Sequence, residues 1–321
     1  MMNRTRNALW FDFVSYGRMG PGERPALTAA QIEHIRRTVG RSPEVMIKVL
    51  PRGATTVRAV AAHIDYVGRK GELAIENDEG QALQEDGIGA SLAADWALDM
   101  EFEARALEAR AQQKNARLVH KLVFSMPPGT SPDKVLRATR AFCREEFALK
   151  HRYAMALHTD ESHPHVHVVV KAVSESGRRL NIRKSTLRVW RESFAEQLRE
   201  LGVSAHASSR QVRGVSALRL SDGRYRSLQR GASTVVQRTP AKPSPAAVME
   251  RRQKSRSLVA GWTAAGDQLN RQGYNQLAKD ALRFARRLED SRTQPLTSAR
   301  LATAPEHVMS VNKTDERQPV R

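Results

Sequence analysis

The sequence has few of the features that mark secreted or membrane proteins. Cys143 is the only cysteine among 321 residues, so no disulfide can form within the chain, and a reduced, cytoplasmic setting is expected. No run approaches the roughly 18 consecutive apolar residues of a transmembrane helix, so membrane insertion is not expected. The apolar patch at residues 8–11 is too short, and too close to Asp12, for a secretory signal peptide.

Acidic residues are scarce relative to basic ones. The chain has 53 Lys and Arg against 34 Asp and Glu, a formal net charge of +19. Most of the excess lies in residues 213–321, which hold 21 basic and 9 acidic residues. This balance favours a polyanionic partner. Nucleic acid is the first candidate, because neutralising phosphates releases counterions, and a membrane surface is the rival.

Composition divides the chain into three regions. Residues 1–42 are an N-terminal extension with one helix at 28–39. Residues 43–210 carry dense strand and helix patterns. Residues 211–321 are rich in Arg, Ser, Gln and Pro, and we expect them to be a basic, largely disordered tail, because they have little apolar surface to offset the entropy of ordering. One amphipathic helix is predicted in this tail, near 274–288.

The middle region is predicted to have an α+β fold, with an antiparallel central sheet flanked by helices. Apolar residues at helical spacing, with N-cap and glycine signals at the ends, predict helices at 55–67, 91–112, 131–147 and 185–201. Cys143 falls on the apolar face of the third of these helices and is interpreted as a small core residue. Alternating β-rich segments predict strands at 44–50, 117–126, 152–158 and 165–173.

Four of the ten histidines lie within residues 158–167, which read His-Thr-Asp-Glu-Ser-His-Pro-His-Val-His. On a strand, His165 and His167 point to one face, and a tight hairpin brings His158 beside them. Three converging imidazoles form a divalent-metal site with open coordination positions, so His158, His165 and His167 are the first-choice ligands. His163 is either a fourth ligand or an outer neighbour.

The cluster has two other interpretations. It can be a polar sheet face whose histidines bind nothing, although four histidines at this spacing are unusual for that. It can also be a structural zinc site, although such sites usually include cysteine and none is nearby. For a catalytic site, Mg²⁺ or Mn²⁺ suits phosphate chemistry, while imidazole ligands also admit Zn²⁺. Asp160 is a candidate for orienting a ligand imidazole or for accepting a proton.

Tyr66 stands out among the five tyrosines by its surroundings. It lies near the end of a predicted helix, two residues before Gly68 and close to Arg69 and Lys70. These cations can hold a phosphate and favour the phenolate form, which a tyrosine nucleophile needs because its ordinary pKa is near 10. Helical periodicity alone favours a half-buried packing tyrosine over a catalytic one.

Three stretches in this order resemble the motifs of the plasmid relaxases, or mobilisation nucleases, of the VirD2-like type, which belong to the HUH endonucleases. Residues 64–73 resemble the motif with the nucleophilic tyrosine. Residues 122–130 resemble the second motif, whose serine, here Ser125, lies close to DNA. Residues 158–167 resemble the metal motif. The likeness covers about residues 45–203.

This resemblance implies an HUH relaxase-like palm and a DNA relaxase, with Tyr66 as nucleophile and a divalent metal ion. The expected substrate is single-stranded or melted origin-of-transfer DNA of a plasmid or integrative element. Accessory relaxosome proteins and a type IV secretion coupling protein are expected partners, and export with DNA into a recipient cell is a further expectation. The candidate DNA contacts are Arg52, Arg69, Lys70, Lys121 and Ser125. Each of the basic residues, taken singly, is more often a solvated surface charge, and Ser125 is equally consistent with capping a turn.

Three other functions compete with this interpretation. A rolling-circle replication initiator uses similar chemistry, but such proteins place the tyrosine after the histidines, whereas Tyr66 precedes them. A basic DNA-binding protein with a structural metal site would bind without cutting. A metal-dependent hydrolase that activates water would cut DNA without forming a bond to it.

Overall fold

The computed structural model of the protein describes residues 11–51, 54–98, 117–210, 212–213 and 244–293. The chain divides into two compact units. The first unit contains Thr28–Ser208, together with Met1–Phe11, and the second contains Asp12–Leu27 and Ser209–Arg321. Within the described ranges, none of the helices has the length and apolar character needed to cross a membrane.

The first unit is built on a six-stranded sheet in which every neighbouring pair is antiparallel. The strands are β1 (Met46–Val49), β2 (Ile75–Asn77), β3 (Ala82–Leu83), β4 (Val119–Ser125), β5 (Tyr153–His158) and β6 (His165–Lys171). Their order in the sheet is β1-β4-β6-β5-β2-β3. The two central strands, β5 and β6, follow one another in the chain and form a hairpin.

One face of the sheet carries the larger hydrophobic core. Helices α5 (Pro132–Glu146) and α6 (Lys184–Glu200) lie on this face. Phe142 of α5 is fully buried, with ring centroids 5.0 Å from Phe124 and 5.9 Å from Trp190. Cys143 is also fully buried here, and burial raises the pKa of its thiol well above the ordinary value. Its interpretation as a core residue is confirmed.

The opposite face packs against α3 (Val57–Val67) and α4 (Ile88–Asp95). Val60, Ile64 and Val67 repeat at helical spacing and are all buried against this side of the sheet. A Cβ at Gly89 would lie 2.1 Å from the carbonyl oxygen of Ala61, so only glycine allows α3 and α4 to approach this closely. The close approach of α4 therefore fixes the position of α3 on this face of the sheet.

Helix α2 (Ala29–Val39) also belongs to the first unit. Thr28 and Gln31 form a capping box at its start: the Thr28 hydroxyl accepts from the Gln31 amide and the Gln31 side chain accepts from the Thr28 amide. The helix expected at 28–39 is therefore confirmed.

In its described residues, the second unit contains three helices: α1 (Phe13–Arg18), α7 (Pro245–Arg271) and α8 (Asn275–Thr293). The Trp262 ring is fully buried; it stacks on Phe13 with centroids 4.0 Å apart and donates a hydrogen bond to the Val212 carbonyl. A Cβ at Gly261 would lie 1.8 Å from the Phe13 carbonyl oxygen, so glycine is required where α1 meets α7.

The expected α+β class, with an antiparallel sheet and flanking helices, is confirmed. The strands and helices predicted within residues 43–98 and 117–210 are found, most with ends shifted by one to three residues. The helix expected at 91–112 starts earlier, at Ile88, and ends at Asp95, and its residues 99–112 lie outside the described ranges. The short strands β2 and β3 were not predicted, because two or three residues carry too little alternation.

Both termini contain helices beyond those predicted. The N-terminal extension has α1 in addition to the expected helix. In the tail, the helix expected near 274–288 is present as α8, and α7 is an additional helix of 27 residues. Its buried residues Leu258, Trp262, Ala265 and Leu269 have helical spacing, which the basic composition of the surrounding sequence concealed. The rest of the expected disordered tail, residues 214–243 and 294–321, lies outside the described residues.

We expect Phe142→Ala to destabilise the first unit by about 3–5 kcal/mol, because it leaves a cavity among fully buried aromatic rings. Urea unfolding followed by circular dichroism measures this change. Met46→Ala, at a position 48% exposed on β1, is the matched truncation and should cost under about 1 kcal/mol. Similar losses in the two variants would contradict the assignment of the core.

Candidate metal and nucleophile site

The histidine cluster lies at the end of the central hairpin. In the sheet register, His158 of β5 pairs with His165 of β6. His167 lies two residues further along β6, opposite Ala156, and so belongs to the next row of side chains on the same face. Because paired residues share a face, all three imidazoles lie on the α3 side of the sheet, while Val166 and Val168 fill the opposite core. The three ring centroids are 4.6 to 5.2 Å apart.

Backbone hydrogen bonds fix two of the three imidazoles. His158 donates from Nε2 to the carbonyl oxygen of Val67 at 2.8 Å, which leaves the lone pair on Nδ1. His165 donates from Nδ1 to the carbonyl oxygen of His163 at 3.0 Å, which leaves the lone pair on Nε2. Carbonyl support of this kind is typical of histidines that bind metals.

Burial favours the neutral form of two of the imidazoles, His158 and His167. It lowers the pKa of His167 to about 3, and the neighbouring His158 and His165 lower it further. Burial also lowers the pKa of His158, although the hydrogen bond to Val67 opposes this change. Neutral imidazoles keep their lone pairs available at physiological pH.

The arrangement fits a divalent metal ion. One nitrogen from each of His158, His165 and His167 can be chosen so that all three lie within 4.8 Å of one another. The Nδ1 atom of His167 is buried and has no hydrogen-bond partner among the described residues. Three nitrogen ligands leave coordination positions open for a substrate oxygen, as in catalytic rather than structural sites.

His163 does not join this group of ligand atoms. Its side chain is exposed in the loop between the two strands, and its contribution is the backbone carbonyl that holds His165. The proline that follows it, Pro164, is buried.

Tyr66 lies in the last turn of α3 and is 68% exposed. Two contacts hold this end of the helix, one to the cluster and one to α4. The carbonyl of the next residue, Val67, accepts the hydrogen bond from His158, and the carboxylate of the preceding residue, Asp65, accepts one from the Gly89 amide at 2.7 Å. The candidate nucleophile is therefore exposed on a helix that is anchored on both sides.

The chain after Tyr66 is strained. Arg69 and Lys70 have φ angles of 49° and 54°, and this left-handed conformation costs roughly 1–2 kcal/mol for each non-glycine residue. Arg69 forms an ion pair with Asp160, with Nη2 2.6 Å from Oδ2. We call residues 66–71 the tyrosine segment and residues 158–167 the histidine hairpin.

Asp160 lies in the loop of the histidine hairpin, and its Oδ1 is 3.9 Å from Nδ1 of His158. Burial raises the pKa of Asp160, but a backbone hydrogen bond and the charge of Arg69 outweigh this effect and lower it overall. Asp160 is therefore a carboxylate at neutral pH, placed between the tyrosine segment and a candidate ligand.

The remaining candidate DNA contacts differ in position. Ser125, the last residue of β4, pairs with His165 and so belongs to the same row as His165 and His158. Lys121 lies on the same face of β4, two rows away, and burial lowers its pKa. Lys70 is exposed in the tyrosine segment. Arg52 lies outside the described residues.

His63 is a site residue that sequence reasoning missed. It lies one turn before Tyr66 on α3, with the two rings nearly parallel and their centroids 6.2 Å apart. Burial, and secondarily the charge of Lys121, lowers its pKa to about 4. The spacing of three residues before Tyr66 was the available signal, because residues i and i+3 share a helix face.

The depressed pKa of His167 predicts a pH dependence of stability in metal-free protein. Below about pH 6.5 the unfolded chain binds a proton at this residue that the folded chain does not take up until about pH 3. Stability should therefore fall as the pH is lowered through this window. Urea unfolding with a chelator present should show a shallower fall in His167→Gln, and identical pH profiles would contradict the burial of His167.

Comparison with known proteins shows which proteins this chain resembles. Residues 66–203 match the family model described as "Relaxase: MobA/VirD2-like, nuclease domain". The T-DNA border endonuclease VirD2 of Agrobacterium fabrum (strain C58 / ATCC 33970) is 28% identical over 206 residues, which cover 58% of this chain and 44% of the relative. The protein of the same name from Rhizobium rhizogenes is 28% identical over 211 residues, covering 60% and 47%.

The chain spans about half the length of these curated relatives. The matched region begins at Tyr66 and contains Ser125 and the whole histidine hairpin. The resemblance seen in the motifs is therefore confirmed over the region that carries the site. Residues 66–203 are therefore similar to the nuclease domain of MobA/VirD2-like relaxases.

Proposed function

We propose that this chain is a DNA relaxase that nicks one strand at an origin of transfer and becomes covalently attached to it through Tyr66. The observation that carries this proposal is the hydrogen bond from His158 to the Val67 carbonyl. It joins a metal-competent histidine cluster to the residue next to an exposed tyrosine, so the nucleophile and the charge-stabilising group can meet at one phosphate.

The basic residues of the site are proposed to hold the DNA. Lys70 is exposed beside Tyr66, and Lys121 and Ser125 lie on the histidine face of the sheet. Such contacts position the phosphate backbone without reading sequence. Arg52, just after β1, remains a candidate from the sequence alone.

His158, His165 and His167 would hold the divalent ion, Mg²⁺ or Mn²⁺ by the chemistry of phosphate transfer and Zn²⁺ by the preference of imidazole. When bound, the ion supplies positive charge to the non-bridging oxygens of the scissile phosphate. The three imidazoles would fix its place, and burial keeps His158 and His167 neutral and ready to bind.

The proposed step is a transesterification. The Tyr66 oxygen forms a bond to phosphorus as the bond from phosphorus to the 3′ oxygen breaks. The phenolic proton leaves to a base, and the departing 3′ oxygen gains a proton and becomes a free hydroxyl. One phosphodiester is exchanged for another, so the 5′-phosphotyrosine bond keeps the energy needed to rejoin the strand.

The proposed context is conjugative transfer or mobilisation of a plasmid or an integrative element. The similar VirD2 proteins are T-DNA border endonucleases, which supports cleavage of a transferred strand. Relaxosome proteins and a type IV secretion coupling protein are proposed partners. The order of the motifs, with Tyr66 before the histidines, favours this function over a replication initiator.

Replacement of the nucleophile is the direct test of the chemistry. Random-sequence single-stranded oligonucleotides, labelled at the 3′ end, are enriched for covalent capture by the wild-type protein with Mn²⁺. We expect the captured sequences to label wild-type protein and not Tyr66→Phe, because phenylalanine has no oxygen to attack phosphorus.

Tyr274→Phe, at an exposed tyrosine of the second unit, is the matched control and should label normally. Labelling of Tyr66→Phe at the wild-type rate would refute the assignment of Tyr66. Cleavage by wild-type protein without any labelled adduct would instead favour a hydrolase that uses water.

Removal of one imidazole tests the metal model. We expect His165→Ala to lower Mn²⁺ affinity by more than about tenfold, since loss even of groups that only support a ligand has effects of that size. Titration calorimetry measures the affinity. His163→Ala, in the loop just before β6 and outside the ligand group, should keep Mn²⁺ affinity close to that of wild type, and equal loss in both variants would contradict the ligand assignment.

A further inference from the structure

Two parallel contacts join the tyrosine segment to the histidine hairpin. Val67 accepts a hydrogen bond from His158, and two residues further along each segment Arg69 pairs with Asp160. The first contact uses backbone on the tyrosine side and cannot be removed by changing Val67. The second contact depends wholly on two side chains, so substitution of either residue removes it.

The backbone conformation of Arg69 points to a requirement at this position. Arg69 and Lys70 are consecutive left-handed residues in a 3₁₀ turn, where glycine or asparagine would be less strained. Strain of this kind persists where the surroundings impose it, and it is often found at functional sites. The contact that Arg69 makes from this conformation is the ion pair with Asp160.

The ion pair is unsuited to a purely stabilising role. The side chains of Arg69 and Asp160 are 36% and 46% exposed, and exposed pairs contribute little to folding stability. The contacts of the Asp160 carboxylate are with groups other than Tyr66. Its Oδ2 contacts Arg69, and its Oδ1 lies 3.9 Å from Nδ1 of His158.

We propose that Arg69 is a positioning residue, which holds the tyrosine segment against the histidine hairpin through its ion pair with Asp160. In this arrangement Asp160 anchors Arg69, and it does not accept the proton of Tyr66. This inference rests on the proposed nicking function and gives one role to each of two residues whose roles the sequence left open.

A charge swap separates this role from the two alternatives. If Arg69 and Asp160 act by pairing, then Arg69→Asp and Asp160→Arg should each slow adduct formation by about 10- to 100-fold, and the double variant should recover most of that loss. Aspartate is also well tolerated in the left-handed conformation of residue 69. The enriched oligonucleotide with Mn²⁺ serves as substrate.

Each alternative predicts no recovery. If Arg69 contacts a phosphate, the carboxylate introduced by Arg69→Asp repels that phosphate whatever residue 160 is. If Asp160 is the proton acceptor, the guanidinium introduced by Asp160→Arg cannot replace it. A double variant as slow as the slower single variant would therefore overturn the proposal, as would an Arg69→Asp variant that reacts at the wild-type rate.

DNA binding gives a second readout. Removal of a phosphate contact lowers the slope of log affinity against log salt concentration by about one. We expect Arg69→Asn to keep the wild-type slope and affinity while adduct formation slows. Asparagine also relieves the backbone strain, so the slowing cannot be attributed to a worse fold. A lowered slope would assign Arg69 to the DNA backbone and overturn the proposal.

Hydrogen exchange in metal-free, DNA-free protein tests the tether without any activity. Backbone amides of residues 68–73 should exchange faster in Arg69→Asn and in Asp160→Asn, and unchanged exchange in both would contradict a tether. Arg137→Ala is the matched control, since it removes an exposed arginine from α5, on the opposite face of the sheet.

The exchange measurement also separates the two proposals. If wild-type protein never captures DNA covalently, the proposed function fails, yet the exchange result still decides whether the tether exists. If wild-type protein captures DNA and the Arg69 variants match it in rate and in exchange, the tether alone fails.

Discussion

The antiparallel pairing of β5 with β6 is the constraint on which the rest of the site depends. Its register sets His158 opposite His165 and puts His167 one row away on the same face. A shift of one residue would send the histidines into the apolar core and the valines towards the site. Val166 and Val168, fully buried against α5 and α6, oppose such a shift. The hydrophobic core on one face of the sheet therefore fixes the positions of the three histidines on the other face.

The position of Tyr66, the candidate nucleophile, depends on the same hairpin through helix α3. Helix α3 packs on the sheet through Val60 and Ile64, and it ends where the Val67 carbonyl meets His158. The imidazole of His158, a candidate metal ligand, therefore also holds the tyrosine segment in place. The side chain of His158 thereby links the candidate metal ligands to the end of the helix that carries Tyr66, and Tyr66 itself is exposed.

Much of this arrangement could be predicted from the sequence, because it follows from local periodicity. The alternation of His165 and His167 with valines and the two glycines after Tyr66 are short-range signals, and the structure places them as expected. The ion pair of Arg69 with Asp160 could not be predicted, because it joins residues far apart in the chain through a strained turn. The role of His158 as a donor to Val67 depends on the tertiary fold in the same way.

The central claim is that Tyr66 carries the DNA after strand cleavage. Mass spectrometry of the captured wild-type protein, after protease and nuclease digestion, tests it most directly by locating the nucleotide remnant on the chain. The account predicts a 5′-phosphorylated nucleotide on the peptide that contains Tyr66, and an extendable 3′-hydroxyl on the released strand. A remnant on any other residue, or a 3′-phosphate on the released strand, would contradict it.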